Sequence, residues 1–256
     1  MIYIKLFFMF IWAIVAMPIM WAVRYVPGLR WLAPSFHRFY FKVYCLFLGL
    51  HSRVRHGRIV GGKKVLLLCN HMSYLDILAI GRLLKINFVA KEDVATWPLF
   101  GVITRLGNTV FISRRRMAAA GEVSVIEQAF DGRRIPLLIF PEGTSGDGAS
   151  ILSFKSSMFS IFEGGGAADI IVQPMAIAYT RRGRRRMTLA ERQLYSWYLP
   201  EQTLAQHFGA IRDKFPVSAE ISIGEPLDLA KYANRKEMAA AAHAAVEREF
   251  NRLVEE

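Results

Sequence analysis

The sequence predicts an α/β fold: a mixed, largely parallel sheet flanked by helices, with an N-terminal membrane-anchoring helical segment. Short apolar runs that read as buried strands recur along the chain, each empties into polar residues, and helical patterns fill most of the gaps. Open α/β sheets gather their chemistry outside the carboxyl ends of their strands, so the polar residues after each run are the functional candidates. At 256 residues the chain is long enough for one good core, and no obvious linker, internal repeat or low-complexity tract divides it.

From Leu6 to Val23 there is no charge, and these 18 residues at ~1.5 Å rise span ~27 Å, a little short of a ~30 Å hydrocarbon core. The segment either spans a membrane or lies in its interface. Trp12, Trp21 and Tyr25 are aromatics of the kind found near a membrane boundary, and Pro18 is a candidate kink. No small-residue cleavage site follows, which argues against a cleaved signal peptide. Phe36 to Leu50 mixes Phe39, Tyr40, Phe41, Tyr44, Phe47 and Leu48 with His37, Arg38 and Lys42, an amphipathic pattern. Together these predict a hairpin of two helices turning between Pro27-Gly28 and Pro34, and a division into an anchor over 1–50 and a second domain over 51–256.

Strands are expected near 54–60, 65–69, 86–90, 109–112, 136–140, 170–178 and 218–223. Helices are expected near 74–84, 94–105, 117–130, 154–163, 203–214 and 235–254, the last an alanine-rich terminal cover packing through Phe250 and Leu253. Pro174, in the strand over 170–178, belongs at an edge or bulge. Gln173 beside it is polar enough to face a pocket.

Directly after the apolar run Val65-Leu66-Leu67-Leu68 stands Asn70-His71-Met72-Ser73-Tyr74-Leu75-Asp76. Five steps turn a helix through ~500°, so His71 and Asp76 would diverge inside one helix; His71 is therefore expected in the turn before it. One reading is a general base with its orienting carboxylate. The other is a helix capping box, Ser73-x-x-Asp76, with Asp76 a first-turn acid. Alone, this segment does not choose between them.

Three further segments do. Thr109-Val110-Phe111-Ile112 runs into Ser113-Arg114-Arg115-Arg116, Ile135-Pro136-Leu137-Leu138-Ile139 runs into Phe140-Pro141-Glu142-Gly143-Thr144-Ser145, and Ile170 to Ile177 carries Pro174. The ordered set of Asn-His-x4-Asp, Gly107-x3-Phe-Ile-x-Arg, Phe-Pro-Glu-Gly-Thr and a proline-bearing strand, over residues ~65 to 180, resembles the glycerolipid acyltransferases with the His-x4-Asp motif, typified by 1-acylglycerol-3-phosphate acyltransferase. The resemblance implies an O-acyltransferase that acts at a membrane on a lysolipid acceptor.

A lipid hydroxyl is a poor nucleophile at neutral pH and an acyl thioester is already activated, so such a protein needs a base, placement and charge stabilisation. His71 supplies the base, and Asp76 fixes its tautomer and stabilises the imidazolium, by resemblance and by reach. The hydroxyl attacks the thioester directly, without an acyl-enzyme. The chain has no Gly-x-Ser-x-Gly elbow, and Ser73 reads as a helix cap. Arg114 is the candidate for the acceptor phosphate, with Arg115 or Arg116 sharing the task. Glu142 beside a phosphate would repel it; holding an arginine or accepting from a glycerol hydroxyl are the open uses, and the resemblance implies acceptor binding. Gly143 and Thr144 are expected to build a turn that lets backbone approach the ligand. Ser145 stands where many relatives carry arginine, which removes a cation. Lys155 reads as solvated, and Gly164-Gly165-Gly166 as a helix terminator rather than a phosphate loop.

Net charge is +12, with arginine runs at 114–116, 133–134 and 181–186. Basic patches suit nucleic acid or anionic lipid, and the uncharged amino terminus favours lipid. Cys45 and Cys69 form no metal or disulfide spacing, so no metal and no cofactor is expected, and a cytoplasm-facing compartment fits. The resemblance implies membrane lipids and a lysolipid as partners, no nucleic acid, and acyl-CoA or acyl-acyl carrier protein as donor. The location implied is the cell inner membrane, with the catalytic part on the cytoplasmic face. Among acceptors, 1-acyl-sn-glycerol-3-phosphate, giving phosphatidic acid, is placed ahead of lyso-ornithine lipid, and Tyr195, Trp197 and Tyr198 are candidates for making that choice. An inactive surface-binding protein is the remaining alternative.

Overall fold

A computed structural model describes residues 2–61, 64–91, 109–112, 130, 135–165 and 169–256. The strands among them are β1 (Leu50–His56), β2 (Lys64–Cys69), β3 (Asn87–Lys91), β4 (Val110–Ile112), β5 (Leu137–Ile139), β6 (Ile170–Arg182), β7 (Arg185–Arg186) and β8 (Val217–Ile223). They form one sheet in the order β1-β8-β6-β2-β5-β3-β4, with β7 hairpinned onto β6. β6, β2, β5, β3 and β4 run parallel; β8 is antiparallel to β6 and carries β1 parallel to itself. The sheet is thus mixed and largely parallel, as the apolar runs predict. β2 lies between β5 and β6, and Val65, Leu66, Leu67 and Leu68 are all buried. Its carboxyl end therefore opens in the middle of the sheet, where a site is covered on both flanks.

The helices are α1 (Ile2–Tyr25), α2 (Ala33–Leu48), α3 (Tyr74–Gly81), α4 (Leu189–Tyr195), α5 (Leu204–Ile211) and α6 (Arg235–Glu255). The expected helix over 154–163 is a 3₁₀ segment, Ser156–Gly165, and the short α4 has no counterpart in the sequence reading. The helix expected over 94–105 lies outside the described residues, as does the one over 117–130 except for Phe130, which is buried. The last helix covers the sheet as expected, burying Val246, Phe250 and Leu253.

Two strand expectations need correction. β1 ends at His56 rather than running through 60, because Gly57 takes φ +70° and a Cβ there would fall 1.8 Å from the Ile223 carbonyl oxygen. Pro174 is not on an edge strand: β6 is central, paired to β2 and β8. The missing N–H is tolerated because β8 pairing stops at Met175, opposite Ile223, and the Pro174 carbonyl accepts from Gly224 N (2.9 Å) just past the strand end. Gln173 is buried, with its side chain taken up by backbone groups. Its Nε2 donates to the carbonyls of Arg58 (2.9 Å) and Gly224 (2.8 Å) and its Oε1 accepts from Val60 N (3.2 Å), so it laces the segment after β1 to the end of β8.

α1 and α2 pack antiparallel around Ala16, Met20 and Tyr40, with Phe8 stacked on Phe47 and Tyr44 OH donating to the Met9 carbonyl (3.2 Å). The carboxyl half of α2 belongs to the main core through Cys45 and Leu48. Phe41 fits over Gly81, where a Cβ would fall 2.4 Å from its ring. Outward, Phe7, Phe10, Ile11, Ile14, Val15 and Trp21 are exposed. Removing such side chains from water is worth ~1.5–3 kcal/mol each, so this face has a strong drive toward an apolar surrounding.

Candidate active site

β2 ends at Cys69, Asn70, His71 and Met72 follow, and α3 begins at Tyr74 with Ser73 as N-cap. Both readings of the His71–Asp76 segment are realised at once. Asp76 Oδ2 accepts from Ser73 N (2.9 Å) and Met72 N (2.7 Å), and Ser73 Oγ accepts from the helix, completing the capping box. The same Oδ2 meets His71 Nδ1 at 2.8 Å. A cap that folds the chain back on its own first turn is what brings a histidine five residues upstream onto the carboxylate. Asp76 is fully buried, and the His71 side chain keeps 21 % exposure.

The other carboxylate oxygen, Oδ1, accepts from the hydroxyl of Tyr179 on β6 (2.6 Å). Tyr179 is fully buried, and burial followed by the Asp76 charge pushes its hydroxyl well above the ordinary 10.0. The sequence reading missed it, because a tyrosine in an apolar strand is indistinguishable from core. Asn70 sets the register between the two: its Nδ2 donates to the Ile177 carbonyl (3.0 Å) and its Oδ1 accepts from Ile177 N (2.8 Å).

Glu142 sits behind the turn, 1 % exposed. Its Oε1 accepts from His71 N (2.8 Å) and its Oε2 from Leu152 N (3.2 Å), both backbone amides. Burial pushes its carboxyl up from 4.5 to about 8, the Asp76 charge adding to that and the two amide hydrogen bonds opposing it. The turn after β5 is present: Gly143 has φ +72° and donates its N–H to the Phe140 carbonyl (3.1 Å), while Thr144 is exposed. Phe140 stacks on the His71 ring at 4.1 Å.

The backbone of the turn after β2 is pinned from two further segments. Gly146 N donates to the His71 carbonyl (2.8 Å) and Trp197 N to the Met72 carbonyl (2.7 Å). Tyr74, Trp197 and His207 make edge-on ring contacts beside α3. Tyr195 is core, its hydroxyl donating to the Lys214 carbonyl (2.6 Å), whereas Tyr198 is exposed. Lys155 is exposed, and Arg185 of the third arginine run pairs with Glu191 on the surface. Arg114, with Arg115, Arg116 and the run at 133–134, lies outside the described residues. Among the described residues no group of His, Cys, Asp and Glu could hold a metal ion.

A histidine with one nitrogen on a buried carboxylate, and with no protein partner for the other among the described residues, can take a proton from a bound hydroxyl, chemistry that α/β transferases and hydrolases use. The sequence model of the family named Acyltransferase matches residues 51–178, a stretch that stops one residue before Tyr179. The chain belongs to that acyltransferase family. It is 35 % identical over 223 residues to the lyso-ornithine lipid O-acyltransferase of Rhizobium meliloti, covering 82 % of this chain and 71 % of that protein. It is 32 % identical over 126 residues to the 1-acyl-sn-glycerol-3-phosphate acyltransferase of Neisseria gonorrhoeae, covering 47 % of each. The fold matches the crystal structure of the 1-acyl-sn-glycerophosphate acyltransferase PlsC from Thermotoga maritima, with TM-score 0.64 and 19 % identity over 98 % of this chain and 97 % of that one. The reaction is O-acyl transfer. A helix whose segment Phe7–Tyr25 is long and apolar enough to cross a bilayer, together with lipid acyltransferase relatives, points to membrane association.

Proposed function

We propose that the chain moves a fatty acyl group from an acyl thioester to the free hydroxyl of a lyso-ornithine lipid, with His71 as general base. The observation that carries the base is the 2.8 Å contact between His71 Nδ1 and the buried Asp76 Oδ2, which leaves Nε2 for the acceptor hydroxyl. The hydroxyl oxygen attacks the thioester carbonyl while His71 takes its proton. The carbon–sulfur bond then breaks, and the thiol leaves with that proton. Asp76 stabilises the imidazolium in between. Arg114, Gly143 and Thr144 bind the acceptor, and Glu142 contributes by holding the turn that presents His71.

Support for this acceptor is the extent of likeness to the Rhizobium protein, which runs well past the stretch 51–178 that carries the four motifs. A second reading, conversion of 1-acyl-sn-glycerol-3-phosphate to phosphatidic acid, is favoured by the +12 charge and the arginine runs, which suit a phosphate. Coenzyme A or acyl carrier protein delivers the acyl group. The catalytic part faces the cytoplasm at the inner membrane, held by the helix pair.

The test offers purified full-length protein in liposomes labelled palmitoyl-CoA or palmitoyl-acyl carrier protein with either lysolipid, beside His71→Ala. Acylated ornithine lipid formed only by the intact protein supports the proposal. Phosphatidic acid alone transfers the same mechanism to the second acceptor, and turnover unchanged in His71→Ala overturns the base.

A further inference from the structure

We infer that Tyr179 is a positioning residue of the acyl-transfer site, its hydroxyl fixing the Asp76 carboxylate in the orientation that presents Oδ2 to His71. This rests on His71 acting as the base. Three of the four hydrogen bonds to Asp76 come from its own segment, from His71 Nδ1, Met72 N and Ser73 N, and all three reach Oδ2. Among the described residues, Oδ1 has only Tyr179, at 2.6 Å. A fully buried carboxylate with one oxygen unsatisfied costs a large desolvation penalty, which is relieved by taking a proton or by rotating. Either response removes the acceptor for His71 Nδ1–H, so the tyrosine acts through Asp76 on the histidine.

The placement of this hydroxyl is set by more than core packing. Asn70, next to His71, grips the backbone of Ile177 on both sides, and two residues further along the same face of β6 stands Tyr179. The Tyr179 carbonyl accepts from Arg192 Nε (3.1 Å), and its ring packs against Tyr195 at 5.8 Å between centroids. The strand is thus locked on both sides of the residue, and phenylalanine would fill the same space without the donor. Other titratable groups facing Asp76 or the Tyr179 hydroxyl are Cys69 at the end of β2, Glu142 after β5, Tyr74 on α3 and Cys45 on α2. Burial first, and then the Asp76 charge, hold the Cys69 thiol well above its ordinary value, so it adds no second anion.

The experiment compares intact protein, Tyr179→Phe, Asp76→Asn, the double variant and His71→Ala in acyl transfer to lyso-ornithine lipid and to 1-acyl-sn-glycerol-3-phosphate across pH, with melting followed in parallel. Tyr179→Phe is expected to lower kcat about tenfold or more, with acceptor KM changed less than about twofold. Its acid limb should move to lower pH, because a carboxylate that has turned away or taken a proton no longer stabilises the imidazolium. In the Asp76→Asn background the same change should cost little more. A kcat within about twofold of the intact protein with an unmoved acid limb overturns the inference, as does an equal loss with and without Asp76, or a loss that only follows the folded fraction. If His71→Ala retains turnover, the base reading itself fails, an outcome distinct from all of these.

Discussion

Asp76 is 0 % exposed and accepts four hydrogen bonds from four donors, whereas Phe10 is 61 % exposed on a helix face made of side chains like itself. The turn after β2 and the amino-terminal helix pair differ throughout in this way. Carbonyls, amides and carboxylates of the turn are matched by partners from α3, β6, the segment after β5 and the segment after α4. The helix pair packs its inner face around Ala16, Met20 and Tyr40 and leaves a row of large apolar groups exposed on its outer face. The first region is complete within the chain, so its changes should read out in rate and pH. The second is completed only by an apolar surrounding, so its changes should read out in where the protein sits.

The sharpest break of that contrast comes from His71→Ala. It should reduce acyl transfer by ~10²–10⁴-fold, the usual scale of a general base, while leaving sedimentation with liposomes unchanged. Phe10→Asp combined with Ile14→Asp should do the reverse. Two apolar side chains worth ~1.5–3 kcal/mol each are removed, so binding to liposomes should fall about 100-fold or more in a flotation assay. Turnover with lysolipid dispersed in detergent should stay close to that of the intact chain. Turnover in detergent that collapses with liposome binding would merge the two regions into one.

A smaller effect is expected in the turn's stability. Glu142 has its folded value raised to about 8 from 4.5, so over that window the folded state binds more protons than the unfolded one. Stability should therefore be fullest below pH 4.5 and fall as pH rises toward 8, by up to about 1.4 kcal/mol per pH unit. Glu142→Gln, which cannot titrate, should flatten that slope in melting curves taken at pH 5, 6, 7 and 8; a parallel slope in both proteins would remove Glu142 as its source. The smallest effect belongs to Arg185→Ala, which breaks an exposed pair with Glu191 and should change neither melting temperature nor rate measurably.

Particular residues show how much of this was legible in the sequence. The strand 65–69 and the turn after it could be read because an apolar run stops abruptly at Asn70-His71 and the spacing to Asp76 excludes a shared helix. β1 was misplaced because its own sequence, LHSRVRH, is that of a polar edge strand, while the apolar pair Ile59-Val60 lies beyond a glycine held in a left-handed conformation. α4 carried a readable start in the Thr188-x-x-Glu191 capping box, but at seven residues it has too few turns for an apolar period to register. Glu142 was recognised as part of the site, yet its partners are backbone amides, which leave no trace in composition. Tyr179 gave no signal, because a hydroxyl in an apolar strand announces nothing until the facing carboxylate is known.

Helix α1 is synthesised before any residue of the turn after β2, whereas two of the groups that hold that turn, Tyr179 and Trp197, come more than 100 residues after His71. A growing chain that has just completed Thr144 contains His71, Asp76, Arg114, Glu142, Gly143 and Thr144, but Asp76 lacks one donor and the Met72 carbonyl lacks its amide. The order of synthesis therefore delivers the apolar helix first and the last partners of the His71–Asp76 turn much later, which separates in time the arrival at a membrane from the completion of that turn.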